Sequence, residues 1–114
     1  MSRDDATLLD ILKAARLVTE FKGKLAKKAF LRDIKTQSAI LHQLLVIGEA
    51  VKRLSADFRA RYPEIPWTRI AGMRDKLIHA YDAVDLDEVW KTVTDEIAPL
   101  ISFLAPLVEQ KKIK

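Results

Sequence analysis

The chain has 114 residues, enough for one domain with a buried core and too few for two. With 49% hydrophobic and 32% charged residues, and only 3 Gly and 4 Pro, its composition favours helices, and an all-α fold is the expectation. The absence of cysteine excludes disulfides and thiolate metal sites, while a formal charge of +4 leaves room for a polyanionic partner.

The first five residues lack the apolar core of a secretory signal. The most apolar run, Ile97 to Val108, is short and carries Pro99, Ser102 and Pro106. These features predict a soluble cytoplasmic protein with no membrane partner.

A first helix is expected from about Asp4 to Phe21, because Leu8, Ile11, Leu12, Ala15, Val18 and Thr19 recur at spacings of three and four. Asp4 or Asp5 can cap its start, and Gly23 can close it in the left-handed conformation. A longer helix is expected from about Lys27 to Leu54, with Phe30, Ile34, Ser38, Leu41, Leu44, Leu45, Gly48, Val51 and Leu54 as its stripe. His42 lies on this helix and reads as a surface or core-edge residue.

Ala56 to Tyr62 can form one or two helical turns before Pro63 and Pro66 interrupt them, with Phe58, Tyr62 and Trp67 packing inward. From Pro66 a helix through Trp67, Ile70, Met73, Leu77 and Ile78 should reach about Tyr81. Asp85 can cap the next helix, in which Leu86, Val89, Trp90 and Val93 face inward. Pro99 should kink or restart that helix, Ile97, Leu100, Ile101, Leu104 and Leu107 complete an apolar face, and residues 111–114 should fray.

Two basic clusters stand out: Lys22, Lys24, Lys27, Lys28, Arg32 and Lys35, and then Lys52, Arg53, Arg59 and Arg61. Each can be a solvated helix surface or a seat for phosphates.

The segment from 71 to 81 concentrates the reactive groups, with Arg74, Asp75, His79 and Tyr81 inside eight residues. At about 100° per residue Arg74 and His79 are separated by about 140° around one helix, so a straight helix does not make them neighbours. Arg74 shares a face with Ile70, Met73 and Leu77, and a guanidinium so placed needs a partner, a wet cleft or a second subunit. Asp75 lies four residues before His79, where a carboxylate can fix the imidazole tautomer. The plain alternative is that Arg74 snorkels, His79 is solvated and Tyr81 caps the core. Two distant histidines without a carboxylate triad give little basis for a metal site, and no cofactor is expected.

Arg74, His79 and Tyr81, spaced as Arg, four residues, His, one residue, Tyr, make the chain resemble the HEPN superfamily. Within it, the likeness is to HepT-like toxins paired with minimal nucleotidyltransferase antitoxins of the MntA type. It extends through Ile47 to Leu54, Ile65 to Trp67, Gly72 and Met73, and Val84, Asp85, Val89 and Trp90, covering about residues 8–100. The resemblance implies an up-and-down bundle of four to five helices that forms a symmetric homodimer, with Arg and His from both subunits lining a cleft on the two-fold axis. It implies metal-independent endoribonuclease cleavage of RNA, with His79 moving a proton, Arg74 stabilising phosphorane charge and Asp75 orienting one of them. It further implies a type II or type VII-like toxin–antitoxin pair in which the antitoxin transfers AMP to Tyr81. A different reading is a non-catalytic helical module that binds a nucleotidyltransferase or a nucleotide.

Overall fold

The computed structural model describes residues 2–79 and 84–113, and only the backbone of Arg74, of residues 77–79 and of residues 110–113. Among the described residues every regular element is helical: α1 (Arg3–Lys22), α2 (Lys27–Phe30), α3 (Ile34–Arg53), α4 (Ala56–Arg61), α5 (Trp67–His79), α6 (Leu86–Asp95) and α7 (Ile97–Ile113). Five of these are ten residues or longer, which is the helical bundle expected, and α2 and α4 are single-turn pieces between them.

α1 is the centre of the core. Its Leu8, Ile11, Leu12, Ala15 and Val18 are essentially inaccessible, and it packs against α3 and α7. Thr19, expected on the same stripe, is instead exposed at the last turn, and Ala14 is buried in addition. The cap is Ser2, whose hydroxyl accepts from the Asp5 amide at 3.1 Å while Asp5 accepts from the Ser2 amide at 3.2 Å. This reciprocal box satisfies two orphan donors with local groups. Gly23 closes α1 at φ +51°, a region that disfavours a side chain, and its amide donates to the Thr19 carbonyl at 3.0 Å.

Asp4, freed from capping its own helix, serves another. Its carboxylate accepts from the amide and hydroxyl of Ser55 at 2.9 and 2.7 Å, and the Ser55 oxygen in turn accepts from Phe58 at 3.1 Å to cap α4. The hydroxyl and amide of Ser55 hold the Asp4 carboxyl below its ordinary pKa. Arg53 reaches Asp10 nearby at 3.8 Å, so the end of α3 lies beside the start of α1 and the two run antiparallel.

The single long helix expected from Lys27 to Leu54 is broken between Phe30 and Ile34. Asp33 starts α3 afresh, accepting from the Thr36 amide at 3.0 Å and its hydroxyl at 2.7 Å, and these bonds lower its pKa. The break rotates the stripe. Ile40, Leu44, Ile47, Ala50 and Val51 are buried, whereas Ile34 is 75% exposed and Ser38 lies on the surface. Phe30 is sealed in the core from the separate α2 and packs on Trp90 at 5.3 Å. His42 is exposed, as expected.

Asp85 caps α6 by accepting from the Asp87 and Glu88 amides at 3.0 and 3.2 Å. Glu96 ends α6, and α7 restarts at once with Pro99 in its first turn, where a missing N–H costs nothing. Pro106 lies on the solvent side of α7, and the Ser102 carbonyl it cannot serve is on an exposed residue open to water. α7 runs on through residues 111–113, which the sequence alone would let fray. Among the described residues no helix is long and apolar enough to cross a membrane.

Candidate functional site

α5 carries the reactive segment, and its base is anchored by aromatic packing. Trp67 is buried and donates its indole N–H to the Tyr62 carbonyl at 2.9 Å. Phe58 lies 4.9 Å from Tyr62 and 6.0 Å from Trp67, as the sequence suggested, and Phe103 of α7 joins from the far side at 5.1 Å from Tyr62. Pro66 sets the start, its carbonyl accepting the first helical bond from Ile70 at 3.1 Å. Ile70 and Met73 then lean on the core from α5, bordering Leu44 and Ile47 of α3.

Arg74 and His79 both belong to α5, His79 as its last residue, so their backbone positions are five apart on one helix. That places them about 140° apart around the axis. Tyr81 lies outside the described residues. Asp75 is the sequence-derived candidate whose side chain is described. Its Oδ1 accepts from the Lys52 ammonium of α3 at 2.5 Å, with the two side chains 47% and 38% exposed. The carboxylate is therefore tied to a neighbouring helix. Lys52 belongs to a basic cluster visible in the sequence, but its pairing with a residue 23 positions away has no local signal.

On the same helix Gly72 is open: a Cβ built there meets nothing within 4 Å. Gly72 and His79, seven residues apart, share a face within about 20°. Arg69, about 120° around α5 from Asp75, pairs with the half-buried Glu96 at the α6–α7 junction. A groove of about 170 Å³ flanks that pair, lined by Ile65, Pro66, Arg69, Glu96 and Leu100 among others. A second, of about 160 Å³, lies on its other side beside Met73, Glu88 and Lys91. Both grooves follow the Arg69 edge rather than the Asp75 edge. Among the described residues no three His, Asp or Glu side chains gather as metal ligands.

α5 of this all-helical bundle thus carries an Arg and a His together with a lysine-paired carboxylate. The chain belongs to the ribonuclease HepT-like family, whose model matches residues 11–107. A protein of Thermococcus cleftensis named "Probable ribonuclease HepT" is 48% identical over 93 residues, covering 82% of this chain and 84% of that protein. A relative from Methanocaldococcus jannaschii is 41% identical over 92 residues, covering 81% of this chain and 76% of its own length. Another, from Caldanaerobacter subterraneus subsp. tengcongensis, is 38% identical over 96 residues, covering 84% and 85% respectively. Both of these are named "Putative RNase". No solved structure matches the chain.

Proposed function

We propose that this protein is a metal-independent endoribonuclease that acts as a symmetric homodimer, with Arg74 and His79 forming the cleavage site. The observation that carries this reading is the Arg74–His79–Tyr81 motif on and just beyond α5, in a chain of the ribonuclease HepT-like family. The 140° between Arg74 and His79 supports the dimer. In an isologous pair, residues on different faces of one helix converge when the two-fold mate supplies the complementary half.

The chemistry needs a proton carrier and a fixed positive charge. His79 takes the proton of a ribose 2′-hydroxyl, whose oxygen attacks the adjacent phosphorus, or gives a proton to the departing 5′-oxygen. Arg74 stabilises the negative charge that gathers on the phosphorane oxygens. The products are a 2′,3′-cyclic phosphate and a free 5′-hydroxyl. Asp75 is a positioning residue, one helical turn from His79 and next to Arg74.

The protein further serves as the toxin of a toxin–antitoxin pair, neutralised by a minimal nucleotidyltransferase antitoxin. Transfer of AMP to the Tyr81 oxygen, releasing pyrophosphate from ATP, would place an anion beside the cleft and repel RNA. Intact mass after co-expression with the antitoxin should rise in steps of one AMP and stay unmodified in Tyr81→Phe; a rise that survives Tyr81→Phe would remove Tyr81 from this role.

For cleavage, His79→Ala should lower the rate roughly 10²- to 10⁴-fold. Arg74→Ala should lower it roughly 10²- to 10³-fold. Both variants should keep the wild-type helical signal and oligomeric state. Full RNA cleavage by purified His79→Ala protein contradicts the assignment.

A further inference from the structure

The two basic clusters have different fates in the fold. In the second, Lys52 pairs with Asp75 and Arg53 with Asp10, while Arg59 and Arg61 make no ion pair among the described residues. The first, in residues 21–37, holds six cations against one acid, Asp33, and accounts for the whole positive excess of the chain. There Lys27 pairs with Asp87 at 2.9 Å, and the Lys22 ammonium stands 5.3 Å from the centre of the Trp90 ring. Lys24, Lys28, Arg32 and Lys35 are exposed, and none makes an ion pair among the described residues. The carboxylate of Asp33 is occupied by the amide and hydroxyl of Thr36, with Lys35 adjacent.

These cations stand on a braced turn. Phe30 is fully buried, its carbonyl accepts from the Gln37 side chain at 2.9 Å, and Asp33 caps the next helix. Unneutralised charges are thus held in place by a turn whose conformation is set from beneath. Leu31 and Ile34, exposed at 39% and 75%, stand among them. The corner also reaches α6. It abuts the first turn of α6 through Lys27 and Asp87, and Val84, just ahead of that turn, is five residues from His79. Five residues of chain span at most about 17 Å.

We infer that the α2–α3 corner, through Lys24, Lys28, Arg32 and Lys35, binds the phosphodiester backbone of RNA outside the Arg74–His79 site. The inference rests on the ribonuclease reading for its ligand. Four exposed cations within twelve residues match a polyanion without reading sequence, and Leu31 and Ile34 offer apolar contact to ribose or base faces. The corner lets the enzyme hold a strand on either side of the scissile bond.

The test is fluorescence anisotropy with a labelled single-stranded oligonucleotide carrying 2′-O-methyl groups, which lacks the attacking hydroxyl and so reports binding alone. A variant with Lys24→Gln, Lys28→Gln, Arg32→Gln and Lys35→Gln is compared with one that removes four exposed cations elsewhere, at Lys13, Arg16, Arg53 and Arg61. The corner variant should bind at least about tenfold more weakly at low salt, with its log affinity against log salt flattened by about 3, at roughly 0.7 per lost phosphate contact. The control should keep the wild-type slope to within about 1. A third variant with Lys24→Arg, Lys28→Arg and Lys35→Arg should bind like wild type, which separates charge from folding. Equal behaviour of the corner and control variants overturns the inference, as does wild-type RNA binding by the corner variant, the result expected if the corner serves an acidic protein. If wild-type protein fails to cleave unmodified RNA while probe binding still depends on the corner, the cleavage reading fails and the corner assignment stands.

Discussion

Asp75 shows how one side chain can answer to two helices. Its tie to Lys52 is an exposed pair, so it contributes about 1 kcal/mol or less to stability. On the proposed cleavage reading its value is positional: the lysine would offset a carboxylate that otherwise repels a phosphate, one turn before His79. Asp75→Ala should therefore leave urea stability within about 1 kcal/mol of wild type. The same change should lower kcat for RNA cleavage roughly ten- to a hundredfold with KM little altered, as misplacement of a reacting group does. An unchanged kcat would leave the pair with a structural role alone. Asp4 acts on folding instead. Its pKa is depressed by Ser55, so its contribution is present above the ordinary aspartate range and is lost as pH falls through its folded value. The difference in melting temperature between wild type and Asp4→Ala should be clear at pH 7 and shrink below about pH 3, beneath the ordinary aspartate pKa. Neither partnership was legible in the sequence. Asp4 and Ser55 are 51 positions apart, and the tempting local reading of Asp4 as the α1 cap was displaced by Ser2.

Helices were read well wherever period and punctuation agreed. Asp85 before Leu86, Pro66 before Trp67 and Gly23 after α1 all mark the ends they were expected to mark. The break at 31–33 was hidden because Phe30 and Ile34 carry the apolar period across it, yet Phe30 is buried and Ile34 is exposed. The signal available was Asp33 followed three residues later by Thr36, which is capping chemistry. Disrupting the separate α2 should be costly, since Phe30 fills a sealed site: Phe30→Ala should lose about 3–5 kcal/mol in denaturant unfolding. α5 offers the opposite case. Gly72 lies inside a helix with no neighbour among the described residues to require it, so Gly72→Ala should stabilise the chain by roughly 0.5–1 kcal/mol. A loss of stability instead would show that something beyond the described residues packs closely on that face. Since Gly72 shares its face with His79, the effect of the substitution on cleavage reports how near RNA or a second copy approaches.

The whole molecule is a bundle whose buried side chains were largely predictable and whose candidate site, on the proposed reading, is completed by a second copy. The apolar set on α1, the aromatic brace at the base of α5 and the inward faces of α6 and α7 all follow from spacing. Residue chemistry singled out Arg74 and His79, but no contact inside a single chain could be inferred to bring them together, because they are five residues apart on one helix. A second copy supplies what the helix geometry withholds, and this is the central claim. It is tested by mixing Arg74→Ala and His79→Ala proteins, each inactive alone, under conditions that let subunits exchange. The account predicts that RNA cleavage reappears, approaching about a quarter of the wild-type rate, because half the dimers become mixed and each mixed dimer keeps one intact Arg–His pair across the two-fold axis. Efficient exchange without any recovery of cleavage would place both groups of each site in one chain and contradict the composite site.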